Sequence, residues 1–234
     1  MMNTILSLLA PLLLGQVTAS EQAENVRLQA CIAKIDVNAD DAYEDAMSWV
    51  AVGGRPAARQ CAALALIAKG QEEEGALRLE ELASAENAGG LEARTIYLAQ
   101  AGNAWLLAGA PEAAIVTLTN AIKLSPRDAE LRMDRARAQM TMKKWAEAGK
   151  DLDAALELSP GDAEAMHMRA QVLMKDGRLK DAWVDVEKAR KQAPKDVSII
   201  VTRGAIREAM RAKDMPDPDG LDDAPEARAK IVGN

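Results

Sequence analysis

The sequence repeats itself at a fixed interval, and this feature constrains the fold more than any other. Small residues, prolines and acidic residues recur at the same step, for example from Ala114 to Ala148. An interval of about 34 residues, divided by a turn and ended by proline, is typical of helix pairs stacked in succession. Five series keep the step: Ala114, Ala148 and Ala182; Ala121, Ala155 and Ala189; Pro126, Pro160 and Pro194; Gly102, Ala136, Ala170 and Gly204; and Asp128, Asp162 and Asp196.

The clearest repeat unit carries a specific motif. Asn103 to Gly109 reads NAWLLAG, Ala113 to Ile115 reads AAI, and Asn120 to Pro126 reads NAIKLSP. These segments resemble a whole unit of the tetratricopeptide repeat family. The resemblance covers three units and a final capping helix, residues 95–213. It implies an all-α, right-handed α-α superhelix of stacked antiparallel helix pairs that binds a partner.

The N-terminal segment 1–19 has the pattern of a signal peptide. Ile5 to Leu14 form an apolar segment of suitable length, and Val17 to Ala19 provide small residues that suit cleavage. We therefore expect residues 1–19 to be removed and the mature chain to begin near Ser20. An uncleaved anchor would need about 20 apolar residues, and this segment has fewer. The expected location is the bacterial periplasm, with no membrane insertion after cleavage.

The rest of the chain is acidic and rich in alanine, with a formal net charge of -7 and no phenylalanine. Alanine favours helices and allows them to approach closely, so composition also indicates an all-α fold. Nucleic acids and anionic lipid surfaces attract clustered lysine and arginine. We therefore expect neither of them to be a partner.

Residues 20–88 indicate a less regular helical region. Segments 24–35 and 41–52 are predicted to be two helices, and Pro56 suits the first turn of a third. The first two helices form either another repeat unit or an end cap.

Residues 57–88 are predicted to form a degenerate unit of the same kind. Ala76 and Ala83 keep the same spacing that the later repeats have between Ala114 and Ala121. A flexible linker at residues 87–90 is expected to separate this unit from the first full one.

Cys31 and Cys61 are the only cysteines in the chain. In an exported protein, an even pair indicates a disulfide. These cysteines would lie on the first and third helices, which are neighbours if the pairs stack. Two buried free thiols or a redox pair are the alternatives, although redox pairs usually have Cys-x-x-Cys spacing.

The partner-binding face can be assigned on the first helix of each pair. Successive residues turn by about 100°, so when Ala136 points into its pair, a neighbouring stripe faces away from it. The tetratricopeptide resemblance implies that this stripe lines a concave groove. The predicted groove residues are Gln100, Asn103 and Leu107; Glu130, Met133, Asp134, Arg137 and Thr141; and His167, Met168, Gln171 and Lys175.

Some members of the family bind the free carboxylate of a partner with a clamp of lysine, asparagine and arginine. Only Asn103 fits this clamp, because Ala99, Asp134, Glu164 and Met168 occupy other clamp positions. We instead expect an extended or helical peptide with some basic residues. The methionines of the groove are expected either to adapt to apolar side chains or to fill the core.

The only histidine suggests an alternative function, a periplasmic Cu(I)-binding protein. Adjacent residues on a helix point about 100° apart, which leaves His167, Met168, Met174 and Met133 as the workable ligand set. No catalytic arrangement and no phosphate-binding loop is recognised, so we expect a protein that is not an enzyme and uses no cofactor.

Beyond Lys213 the composition shifts to proline and acidic residues. Residues 214–234 are therefore expected to form a disordered acidic tail. Together these features predict a tetratricopeptide adaptor or assembly factor of the cell envelope that binds another protein or peptide.

Overall fold

The computed structural model describes residues 19–216 and Pro218, and all regular secondary structure in this part of the chain is helical. The predicted signal peptide lies outside the described residues except for Ala19, and so does most of the predicted tail. Eleven helices are described: α1 Ala19–Ile35, α2 Ala39–Ala51, α3 Pro56–Ala68, α4 Glu72–Ser84, α5 Leu91–Leu107, α6 Pro111–Leu124, α7 Ala129–Thr141, α8 Trp145–Leu158, α9 Ala163–Lys175, α10 Leu179–Gln192 and α11 Val197–Arg211.

The helices stack in the order of the chain, and each contacts the next one. Helices α5, α7, α9 and α11 also contact one another in succession, whereas α6, α8 and α10 have no comparable contacts among themselves. Since the first helices of the pairs are crowded together and the second ones are spread apart, the first helices line the concave side. This is the predicted all-α solenoid of antiparallel helix pairs. None of the described helices is both long and apolar enough to cross a membrane.

Small residues allow the close approach within each pair, as the repeat predicts. A Cβ atom at Gly102 would lie only 2.5 Å from Cγ of Leu118 on the partner helix. Ala136 and Ala170, at equivalent positions in the next two repeats, have no exposed surface. The recurring alanines of the second helices are likewise fully buried: Ala114, Ala121, Ala148, Ala155, Ala182 and Ala189.

Aspartate side chains cap the N-termini of the first helices of the later repeats, as predicted. Asp128 accepts hydrogen bonds from the backbone N–H groups of Glu130 and Leu131 and caps α7. Asp162 caps α9 and Asp196 caps α11 in the same way. Because the first backbone N–H groups of a helix have no partner within it, these carboxylates supply the missing acceptors.

The segment predicted to be a flexible linker, residues 87–90, leaves Asn87, Gly89 and Gly90 exposed. Ala88 is buried. The guanidinium group of Arg94 donates hydrogen bonds to the carbonyl oxygens of Ala83 and Ala85 at 2.6 and 2.8 Å. The Arg94 side chain therefore satisfies carbonyl groups at the end of α4.

The two cysteines join the N-terminal helices. Cys31 on α1 and Cys61 on α3 are paired as a disulfide, with their Cα atoms 6.1 Å apart. Helix α1 contacts both α2 and α3. The cross-link therefore fixes the terminal helix to the start of the stack.

A further series, not recognised in the sequence, ties three helices together in two successive repeats. Arg135 donates to both carboxylate oxygens of Asp151 at 2.6 and 2.8 Å, and also to Oγ1 of Thr119 at 3.0 Å. One repeat later, Arg169 makes the same paired contact with Asp185 and binds Asp153 as well.

The hydrogen bonds that Arg169 donates to Asp185 raise the pKa of Arg169, so this guanidinium stays charged. Each arginine of the series lies on the first helix of its pair, at α7 or α9. It bridges the second helix of that pair and the second helix of the preceding pair.

Candidate functional site

Two neighbouring cavities open on the concave side, and they form one surface that we call the concave groove. The first, about 590 Å³, lies between α7 and the start of α9. The second, about 430 Å³, lies between α9 and the start of α11. Arg137 and Glu164 line both cavities, so the groove is continuous from α7 to α11.

A charged network crosses the middle of the groove. The guanidinium group of Arg137 donates to Oδ1 of Asp134 at 2.5 Å and to Oε1 of Glu164 at 2.7 Å. Asn103 donates from its amide to the other oxygen of Asp134 at 3.0 Å. The side chains of Arg137 and Glu164 are 43% and 60% exposed, whereas that of Asp134 is buried. One positive charge is thus shared by two carboxylates from neighbouring helices.

Carboxylates outnumber basic groups in the first cavity. Asp128, Glu130, Asp134, Asp162 and Glu164 line it, against Arg127 and Arg137. Asp128 and Asp162 are helix caps, so the backbone N–H groups of α7 and α9 partly compensate their charge. Glu130 is exposed and does not cap a helix. The cavity therefore has an excess of negative charge that favours a cationic ligand group.

The structure brings seven of the predicted groove residues together around the two cavities: Glu130, Met133, Asp134, Arg137, His167, Met168 and Gln171. The remaining five lie elsewhere. Gln100 is bonded to Gln60 of α3, and Asn103 reaches the groove only through Asp134. Leu107, Thr141 and Lys175 are exposed but do not line either cavity.

The groove methionines mainly fill the core, which is one of the two roles that the sequence allowed. Met133 and Met168 are each 6% exposed and belong to the hydrophobic core of the later repeats. They form the floor of the cavities, below the charged side chains. Little of their surface is therefore available to a partner.

His167 belongs to a buried polar cluster between α9 and α11. Its Nε2 atom lies 2.8 Å from Oγ1 of Thr202 and 3.1 Å from Nε2 of Gln171. Burial lowers the pKa of His167, against the raising effect of the Asp196 and Glu164 charges. The ring is therefore neutral at neutral pH and joins two stacked helices.

The arrangement around His167 does not favour the copper alternative. Nε2 is already engaged by Thr202 and Gln171, so a metal ion at this atom would have to displace both contacts. The neutral imidazole acts here as a hydrogen-bonding group within the stack.

Comparison with known proteins identifies the fold. No protein-family model and no curated protein matches the chain. The solved structure of TTC0263, a thermophilic tetratricopeptide repeat protein of Thermus thermophilus, matches with a TM-score of 0.57 and 22% identity, covering 78% of this chain and 98% of its own. MamA matches with a TM-score of 0.55 and 20% identity, covering 64% of this chain and 84% of its own.

A third structure agrees with these two. The first tetratricopeptide repeat domain of human RPAP3 matches with a TM-score of 0.50 and 24% identity, covering 51% of this chain and 94% of its own. The chain therefore has the tetratricopeptide repeat fold, as the sequence resemblance implied.

Proposed function

We propose that this tetratricopeptide repeat protein is a non-enzymatic adaptor or assembly factor of the cell envelope. It binds a segment of another protein in the concave groove, through basic side chains of that segment. The observation that carries this proposal is the network at Arg137, where Asp134 and Glu164 share one guanidinium group.

A basic side chain of the partner can use the same acceptors as Arg137. The exposed carboxylates of Glu130 and Glu164 are the first groups that it meets, and Asp134 lies below them. Both Arg137 and Glu164 are more than one-third exposed, so their own ion pair is weakened by solvent and is readily exchanged. Complementary charge of this kind contributes mainly to specificity and to the rate of association.

The proposed location is supported by the predicted signal peptide and by the cysteine pair. Disulfides persist in oxidising compartments such as the bacterial periplasm and are rare in the cytosol. Cys31 and Cys61 are placed at the geometry of such a bond. Export is tested by sequencing the N-terminus of the protein recovered from the envelope fraction, which should begin near Ser20.

Groove binding is tested with two labelled peptides, one alternating lysine with leucine and the other alternating glutamate with leucine. Fluorescence anisotropy should show that only the lysine peptide binds and that salt weakens the binding. Replacing Glu130→Lys and Glu164→Lys together reverses two exposed charges of the groove, and we expect the affinity to fall by about tenfold or more.

The matched control places the same charges elsewhere. Glu147→Lys and Glu157→Lys change two exposed residues of α8 that line neither cavity. This control should keep the affinity within about twofold, because surface charges at a distance are screened by salt. An equal loss in both double variants, or no loss in the groove variant, would refute the groove as the binding site.

A further inference from the structure

A separate cavity opens on the outer side of the stack, away from the concave groove. It has a volume of about 450 Å³ and lies between α8, α9 and α10. This size is within the range of about 300–1,000 Å³ that is typical of ligand sites. Its lining includes Trp145, Gly149, Arg169, Val172 and Leu173, together with several further charged side chains.

Gly149 creates the space, although neither its backbone nor its packing requires a glycine. Its φ is not positive. A Cβ atom there would meet only Cγ1 of Val172, at an ordinary contact distance of 3.7 Å. Glycine weakens a helix interior relative to alanine, so the residue is unfavourable for α8 itself. Its effect is to leave this position without a side chain, which keeps the cavity open.

The neighbouring repeats show what normally fills the position. Ile115 precedes Gly149 by one repeat interval, and Trp183 follows it by one. In the later repeat, the guanidinium carbon of Arg203 lies 4.6 Å from the centre of the Trp183 ring. The repeat that has glycine therefore lacks the side chain on which its equivalent arginine would stack.

Arg169, which corresponds to Arg203, is prepared for the same contact. Its N–H groups are bonded to Asp185 and Asp153, which fixes the orientation of the guanidinium plane. These bonds use the edges of the group and leave a planar face for stacking on an aromatic ring. Val172 and Leu173 add apolar surface next to it.

We infer that this outer cavity binds an aromatic side chain, tryptophan or tyrosine, of a partner protein, in the place that Trp183 occupies one repeat later. A second copy of the chain offers no fully exposed aromatic ring among its described residues. The chain has four tryptophans, two tyrosines and no phenylalanine. All six rings belong to described residues and are buried or half-buried. The aromatic side chain therefore comes from a different protein.

The test uses N-acetyl-tryptophanamide, which represents a tryptophan residue within a chain. Titration into the ¹⁵N-labelled protein should shift the amide signals of Gly149 and Val172 in a saturable way. N-acetyl-leucinamide should bind at least about fivefold more weakly, because it offers no ring for Arg169. Free tryptophan, with its two charged ends, should bind no better than the amide.

Two substitutions at one residue separate filling of the cavity from damage to the fold. Gly149→Ile introduces the side chain that the preceding repeat carries at Ile115 and should weaken binding by about tenfold or more, because it occupies the site. Gly149→Ala adds one methyl group and should leave the affinity within about twofold. Circular dichroism verifies that both variants stay helical.

Several results would overturn the inference. These are equal affinity for the leucine and tryptophan amides, tighter binding of free tryptophan, signal changes centred away from Gly149, no saturable binding, and unchanged binding in Gly149→Ile.

Discussion

Replacement by alanine should change the stability of the protein in opposite directions at two helical glycines, because only one of them faces a close neighbour. Gly75 is near the start of α4, and Gly149 is near the start of α8. Neither has a positive φ. Replacement by alanine therefore favours both helices, by about 0.5–1 kcal/mol in the free energy of unfolding.

The contribution of packing to the free energy of unfolding differs between the two sites. At Gly75, a Cβ atom would clash with Cγ1 of Ile67 and would lie 2.8 Å from the carbonyl oxygen of Ala63, which belongs to the backbone of α3. Overpacking of this kind costs about 1–3 kcal/mol. Because a backbone oxygen cannot rotate away as a side chain does, we expect the upper part of this range.

The net result is a loss of about 1–2 kcal/mol for Gly75→Ala and an increase of about 0.5–1 kcal/mol for Gly149→Ala. In a protein of this size, each kcal/mol corresponds to about 2–4 °C in Tm. Thermal unfolding followed by far-UV circular dichroism should therefore place Gly75→Ala several degrees below the parent and Gly149→Ala about 2 °C above it. Shifts in the same direction would show that close approach of α3 and α4 does not determine the stability of this pair.

Two further predictions concern the cross-link and the histidine. Reduction of the Cys31–Cys61 bond, which spans a sequence separation of 30, should lower the free energy of unfolding by about 3–4 kcal/mol. Equal Tm values with and without reductant would contradict this prediction. His167 has a lowered pKa because it is buried, so below its ordinary pKa of 6.5 the unfolded chain binds a proton that the folded chain does not. Stability in urea should therefore decrease from about pH 7.5 to pH 5.5, and His167→Gln should reduce this dependence; an unchanged slope would refute the assignment.

The repeat interval was sufficient to predict the framework of the fold. Small residues at a fixed step correspond to closely packed helices, and the aspartates after each proline correspond to helix caps. Both features depend on local geometry and on residue size, which a sequence displays directly. The contacts of Arg94 with the end of α4 were less accessible, since they join a side chain to backbone carbonyl groups of another helix.

The repeat interval of the arginines can be read from the sequence, but the carboxylates with which they pair cannot. Arg135 and Arg169 keep the repeat interval, and so do Asp151 and Asp185. Their pairing joins residues 16 positions apart on two different helices. Helical periodicity on a single helix does not show which charges face each other across a pair, so the sequence alone does not reveal this pairing.

The groove was predicted in part, because a stripe on a helix does not fix the depth of each side chain. Met133 and Met168 lie at the boundary between the stripe and the core, and small rotations of the helix decide which side they join. The structure buries both. The outer cavity was missed because its signal is the glycine that interrupts the series of Ile115 and Trp183, and an absent side chain is visible only when the repeats are aligned.

The recurring packing residues and the residues predicted to line the groove differ in how much they vary from repeat to repeat. Positions that hold the stack together are nearly identical from repeat to repeat, as Ala114, Ala148 and Ala182 are. Asn103, Arg137 and Gln171 also stand one repeat interval apart, yet all three differ. If the proposed groove is the binding surface, a binding preference can change one repeat at a time at such variable positions, while the recurring alanines preserve the packing of the helices.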